Sequence, residues 1–148
     1  DRIAEFQTVP VAKHIVAYID HLKDKQVHAD RIKTIDTRLK ESAAACDFNY
    51  LRDLSPDKLQ KWLAGQVKDK ARNMSAAVYN GYVEAWVAFG NWLIGKRTFG
   101  KRSSMSGEKR LIANPFVGMG KRDAKADQRR KARALTEREL ERLLAAAK

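Results

Sequence analysis

A chain of 148 residues with a formal net charge of +12 has room for one domain with a real core and a short appendage, but not for two full domains. No apolar run approaches the roughly 20 residues that cross a bilayer. The start DRIAEFQTVP lacks the pattern of a secretory signal and Cys46 stands alone, so a soluble chain in the reducing cytoplasm is expected.

The first predicted helix starts near Thr8, read as its cap, with Pro10 in the opening turn. Val11, Ile15, Tyr18, Ile19 and Leu22 recur at helical spacing and point inward, while Lys13, His14, Asp20, His21 and Lys23 face away. His14, His21 and His28 are seven residues apart, about 10 Å along a helix. No single metal ion bridges that span, and no metal or cofactor is expected.

A second helix is predicted from Ala29 to Cys46, with Ile32, Ile35, Leu39, Ala43 and Cys46 inward. Arg31 and Arg38 share one flank of that stripe, and Lys33, Thr37 and Lys40 lie on the outer side. Such a row suits phosphates or plain solvent equally, because Asp30, Asp36 and Glu41 are interleaved with it. Phe48 to Leu54 reads as a connector that plugs the core with Tyr50, Leu51 and Leu54. Ser55-Pro56-Asp57 then combines an N-cap, a first-turn proline and a first-turn acid, and starts a third helix with Leu59, Trp62, Leu63 and Val67 inward.

The fourth helix is the most aromatic segment. Ser75 caps it, and Val78, Tyr82, Ala85, Trp86, Phe89, Trp92 and Leu93 project onto one broad face, with Asn80, Glu84 and Asn91 opposite. Its first turn is small and polar, and Lys70, Arg72 and Asn73 precede it. A helix start of this kind can approach an anion closely. Helix chemistry alone favours simple capping and packing. Four helices on short loops imply an all-α, compact four- to five-helix bundle.

Beyond Gly95 the character changes. Residues 96 to 133 hold 13 Lys+Arg against 3 Asp+Glu, whereas residues 1 to 95 hold 14 against 12. That concentration suits a polyanionic partner, nucleic acid first, and offers a membrane no apolar anchoring face. KRTFGKRSSMSGEKR has no apolar period and is predicted to be a mobile basic loop. Leu111, Ile112 and Phe116 around Asn114-Pro115 are expected to return to the core, and 118–133 to form an exposed linker. Thr136 and Glu139 make a capping box ahead of Leu140, Leu143 and Leu144. The expected division is therefore a helical domain over 1–120, a basic linker over 121–134, and over 135–148 the start of a further, truncated domain.

Several of these motifs occur together in a familiar order: Leu54-Ser55-Pro56 and Trp62-Leu63, Ser75 with Asn80, Ala88-Phe89-Gly90-Asn91-Trp92-Leu93, Asn114-Pro115, Asp127-Gln128-Arg129-Arg130, and Arg133-Ala134-Leu135-Thr136-Glu137-Arg138-Glu139-Leu140. In this order the chain resembles the N-terminal core-binding domain of tyrosine recombinases, the phage-integrase and Xer-like enzymes, whose fold is SAM-like. Two departures stand out. Val78 replaces the threonine usual in the family's S-x-x-T-x-N pattern, and about a dozen extra residues, including Lys101, Arg102, Lys109 and Arg110, precede Asn114.

The resemblance implies a module that binds duplex DNA in integration and recombination, alongside other recombinase protomers in the full-length enzyme. The fragment alone is expected to be monomeric. Carried over by position, Arg31, Lys33, Thr34, Asn73, Ser75, Ala77, Asn80 and Gly81 form the contact surface. Lys70 and Arg72 lie near phosphates, Arg129, Arg130 and Arg133 follow the backbone, and Lys101 and Arg102 sit in an insertion that is either a DNA-contacting loop or a spacer. Asn73, Asn80 and Arg31 are the residues able to read base edges. The family's nucleophilic tyrosine belongs to a domain beginning near Leu135, so no strand cleavage is expected from this chain. The alternative is a helical protein-interaction domain with a basic solvating tail.

Overall fold

Helix starts follow local capping chemistry wherever a serine supplies it. In the computed structural model, which describes residues 2–99 and 101–126, the chain forms α1 (Arg2–Phe6), α2 (Val11–Asp24), α3 (Ala29–Ala45), a 3-10 turn over Leu51–Asp53, α4 (Pro56–Lys68) and α5 (Ala76–Leu93). Ser55 Oγ accepts from the Lys58 N–H at 3.3 Å to open α4, and Ser75 Oγ accepts from the Val78 N–H at 3.2 Å to open α5. His28 caps α3, its Nδ1 accepting from the Asp30 N–H at 3.2 Å.

The predicted cap at Thr8 is replaced by another arrangement. Its hydroxyl donates backwards to the Glu5 carbonyl at 2.7 Å, closing the short α1. Helix α2 instead begins behind Pro10 with no side-chain cap. The free Val11 N–H is satisfied by the Asn49 carbonyl at 2.8 Å, on the connector before α4.

The core is built around α5, where Trp86 and Phe89 are fully buried. The Trp86 ring meets Phe48 edge-on at 5.4 Å and Phe116 at 5.1 Å. Tyr18 of α2 packs on Phe89 at 5.3 Å, and Leu39, Leu59 and Leu63 bring in α3 and α4. The indole N–H of Trp86 donates to Ser42 Oγ at 2.8 Å, and that hydroxyl passes its own proton to the Arg38 carbonyl. Both polar groups are thereby buried without loss.

Because α5 is covered on more than one side, the single-face projection fails in part. Val78 is 36% exposed, whereas Tyr79 and Val83 are buried. His14, expected on the outer face, is also fully buried. An arginine can only donate, so the 3.0 Å contact from Arg110 makes His14 Nδ1 the acceptor, and Nε2–H donates to the Phe6 carbonyl at 3.1 Å. Burial holds its pKa below the usual imidazole value.

Residues 96 to 110 are not a structureless loop. Strands β1 (Arg97–Phe99) and β2 (Arg102–Ser104) pair antiparallel, with Arg97 opposite Ser104 and Phe99 opposite Arg102. The base is closed by the Gly107 N–H on the Gly95 carbonyl at 2.8 Å, with Gly95 at φ +92°. The Arg97 guanidinium lies 5.5 Å from the Trp92 ring centroid and donates to the Trp92 carbonyl at 3.2 Å. Backbone pairing and one stacked arginine hold this unit, so it carries no apolar period.

The Asn114-Pro115 turn is pinned to α5. Asn114 Nδ2 donates to the Val87 carbonyl at 3.0 Å and to Asn91 Oδ1 at 3.1 Å, while its Oδ1 accepts from the Phe116 N–H at 3.0 Å. Gly90 makes the approach possible, because a Cβ there would overlap the Asn114 amide. Phe116 is delivered to the core, but Ile112, expected to follow it, is 73% exposed. The fold is thus mostly helical with one small β-hairpin.

Candidate nucleic-acid interface

Helix spacing first decides which side chains can share a surface. On α3, Arg31, Thr34 and Arg38 are separated by three and four residues and so stand along one flank. Facing them across a groove of about 610 Å³ are Gly81 and Ala88 of α5, with Lys25 at the end of α2 and Lys96 and Thr98 at the base of the hairpin. Tyr18, Leu22, Ile35 and Trp92 supply apolar lining. Gly81 is needed here, since a Cβ at that position would overlap the Arg38 guanidinium, which lies 5.5 Å from the Tyr82 ring centroid.

The electrostatics of the groove are one-sided. Lys25, Arg31, Arg38 and Lys96 line it, and among the described residues no carboxylate lies within ion-pair distance of any of them. The acid in the lining, Glu84, is paired with Lys121 at 2.8 Å. Burial, followed by Arg97 and Lys25, depresses the pKa of His21, so the imidazole is neutral at pH 7. Burial pushes the Tyr18 phenol up to about 12.

Of the residues singled out from sequence, Arg31, Thr34 and Gly81 meet in this groove. Lys33 is exposed but points away from Arg31 around α3 and is not in the lining. Ser75 is half-buried and spends its hydroxyl on the α5 cap, while Ala77 is exposed in the first turn. Lys70 and Asn73 are exposed on the turn between α4 and α5, where Asn73 takes the left-handed φ of 44° that asparagine tolerates. Lys101 and Arg102 are exposed on the hairpin. Arg129, Arg130, Arg133 and the segment 135–148 lie outside the described residues.

Two of the singled-out side chains are already engaged within the fold. Arg72 pairs with Glu41, donates to Gln66 Oε1 at 3.1 Å and to the Tyr82 hydroxyl at 2.7 Å, and stacks 5.6 Å from the Trp62 ring centroid. It joins α3, α4 and α5, and its hydrogen bond holds the Glu41 carboxyl below the usual range. The Asn80 amide is engaged by the chain's own backbone. Its Oδ1 accepts from the Arg122 N–H at 2.7 Å and its Nδ2 donates to the Arg122 carbonyl at 2.8 Å, so its amide pairs with the backbone of that residue as a neighbouring strand would.

With the Lys121–Glu84 pair and the Arg122 guanidinium 4.7 Å from the Tyr79 ring centroid, residues 121 and 122 are docked along α5.

Arg38 was placed beside Arg31 from the sequence but not named among the contact residues, and Lys25 and Lys96 were not singled out. Lys25 and Lys96 sit just past helix ends, and only packing brings them together. Among the described residues no three His, Cys, Asp or Glu side chains gather where they could hold a metal ion, and no helix is long and apolar enough to cross a membrane. No family model, curated protein or solved structure matches the chain.

Proposed function

We propose that the chain is a duplex-DNA-binding module of the kind that forms the core-binding domain of a site-specific tyrosine recombinase. The observation that carries this reading is the convergence of Lys25, Arg31, Arg38 and Lys96 on one groove with no carboxylate partner among the described residues. Four cations without a carboxylate partner, beside a Glu84 already paired with Lys121, favour a polyanion, and their phosphate contacts would supply salt-sensitive affinity. Contacts from Thr34 and Arg31, which line the same groove, would add orientation. The motif order from Ser55 to Asn114 supports the recombinase context.

Strand cleavage is assigned to residues outside this module. Tyr82 has an arginine and a glutamate beside it, but burial and Glu41 raise its pKa, the reverse of an activated nucleophile. The test is a fluorescence-anisotropy titration with a duplex at several salt concentrations. Log K should fall against log[salt] with a slope of about −4 to −7, for roughly five to eight phosphates neutralised. Absence of binding at low salt would overturn the reading.

A second reading, a protein-interaction module, draws on Ile112 and Val117, which stand 73% and 66% exposed around the Asn114 turn. It expects no duplex binding in that titration.

A further inference from the structure

The paired strands β1 and β2 are the feature that the groove does not explain. Between Lys96 and Gly107 the sequence has four cations and no carboxylate. Lys101, Arg102, Ser103 and Ser104 are all exposed. The base, by contrast, is firmly set: Gly107 pairs with Gly95, the Lys25 ammonium donates to the Thr98 carbonyl at 3.1 Å, and Arg97 is wedged against Trp92. A side chain at Gly107 would overlap that guanidinium. A rigid root with a polar, positively charged outer strand is poorly explained as a spacer, which needs neither.

Resting on the DNA-binding reading above, we infer that this hairpin is a second contact element that enters the major groove beside the site gripped by α3 and α5. The dimensions fit. Two paired strands are about 4.8 Å apart, and a three-residue strand reaches about 10 Å. The major groove is about 12 Å wide and 8.5 Å deep and admits a two-stranded ribbon, whereas the minor groove, about 6 Å wide, does not. The exposed groups match as well, because arginine and lysine donate to guanine O6 and N7 and serine hydroxyls serve either base edge.

The hairpin springs from the end of α5, and Thr98 lines the same groove as Arg31. One duplex lying along α5 therefore passes both elements.

The probe is a duplex that the wild-type chain enriches from a randomised pool, mapped by dimethyl sulfate, which methylates guanine N7 in the major groove. The wild type should protect two clusters of N7, one under the hairpin and one under the α3–α5 groove. The variant Lys101→Ser/Arg102→Ser, altered only at exposed positions, should lose one cluster, keep the other, and bind about tenfold or more weakly. The charge-retaining Lys101→Arg/Arg102→Lys should keep most of the affinity. If the serine variant shows wild-type affinity and both clusters while Arg31→Gln/Arg38→Gln loses binding, the hairpin inference is overturned and the groove reading stands. If no duplex is enriched or bound at low salt, both are overturned together.

Discussion

Two arginines lie over the same tyrosine ring and do opposite work. Arg38 and Arg72 have their guanidinium carbons 5.5 and 5.8 Å from the Tyr82 centroid. Arg72 is enclosed by Glu41, Gln66 and the Tyr82 hydroxyl. Arg38, across α3, has no carboxylate within ion-pair distance among the described residues and opens onto the groove. Under the proposed function, charge alone does not mark a ligand-binding cation; the absence of a carboxylate already supplied by the fold does.

The comparison can be broken most forcefully at the core that supports both corners. Trp86→Ala removes the fully buried ring between Phe48 and Phe116, and should cost about 3–5 kcal/mol in urea unfolding. Arg72→Ala should cost about 1–2 kcal/mol, a figure kept low because both members of its ion pair are about one-third exposed. It should leave DNA affinity near wild type at temperatures where the variant is folded. Arg38→Ala should do the reverse, weakening binding about tenfold while moving stability by less than about 1 kcal/mol. If Arg72→Ala proved the worse binder of the two, the distinction between the corners would collapse.

Gly81→Ala sharpens the contrast further. Alanine is favoured over glycine within a helix by about 0.5–1 kcal/mol, yet its Cβ must displace the Arg38 guanidinium. The expected outcome is unchanged or slightly raised stability with affinity lowered several-fold.

The smallest expected effect concerns pH. His14 is held neutral by burial, with a pKa below that of the unfolded chain. Between those two values the unfolded state binds more protons, so stability is lost as pH falls below about 6.5 and levels off beneath the folded value. Urea midpoints should drop between pH 7.5 and 5.5, and His14→Gln should flatten the trend. A midpoint that climbs on acidification would contradict the assigned tautomer.

Legibility in the sequence followed the range of the interactions. The starts of α4 and α5 were readable because Ser55 and Ser75 bond three residues ahead. The inward stripe of α3 was readable for the same local reason, down to Cys46. The hairpin was not, because a stacked Arg97 and a Gly95–Gly107 bond leave no periodicity. Of the groove lining, Arg31, Thr34 and Gly81 were singled out from the sequence. The fates of Arg72 and Asn80, however, were set by Glu41, 31 residues away, and by Arg122, 42 residues away. Partners at that distance leave no local pattern.

The central claim is that the cations of the α3–α5 groove carry the affinity for DNA, and the most direct measurement is the salt dependence of binding for the wild type beside Arg31→Gln/Arg38→Gln. The double variant should bind more weakly and show a slope shallower by about 2, one unit for each phosphate contact removed. Superimposable salt plots for the two proteins would contradict it.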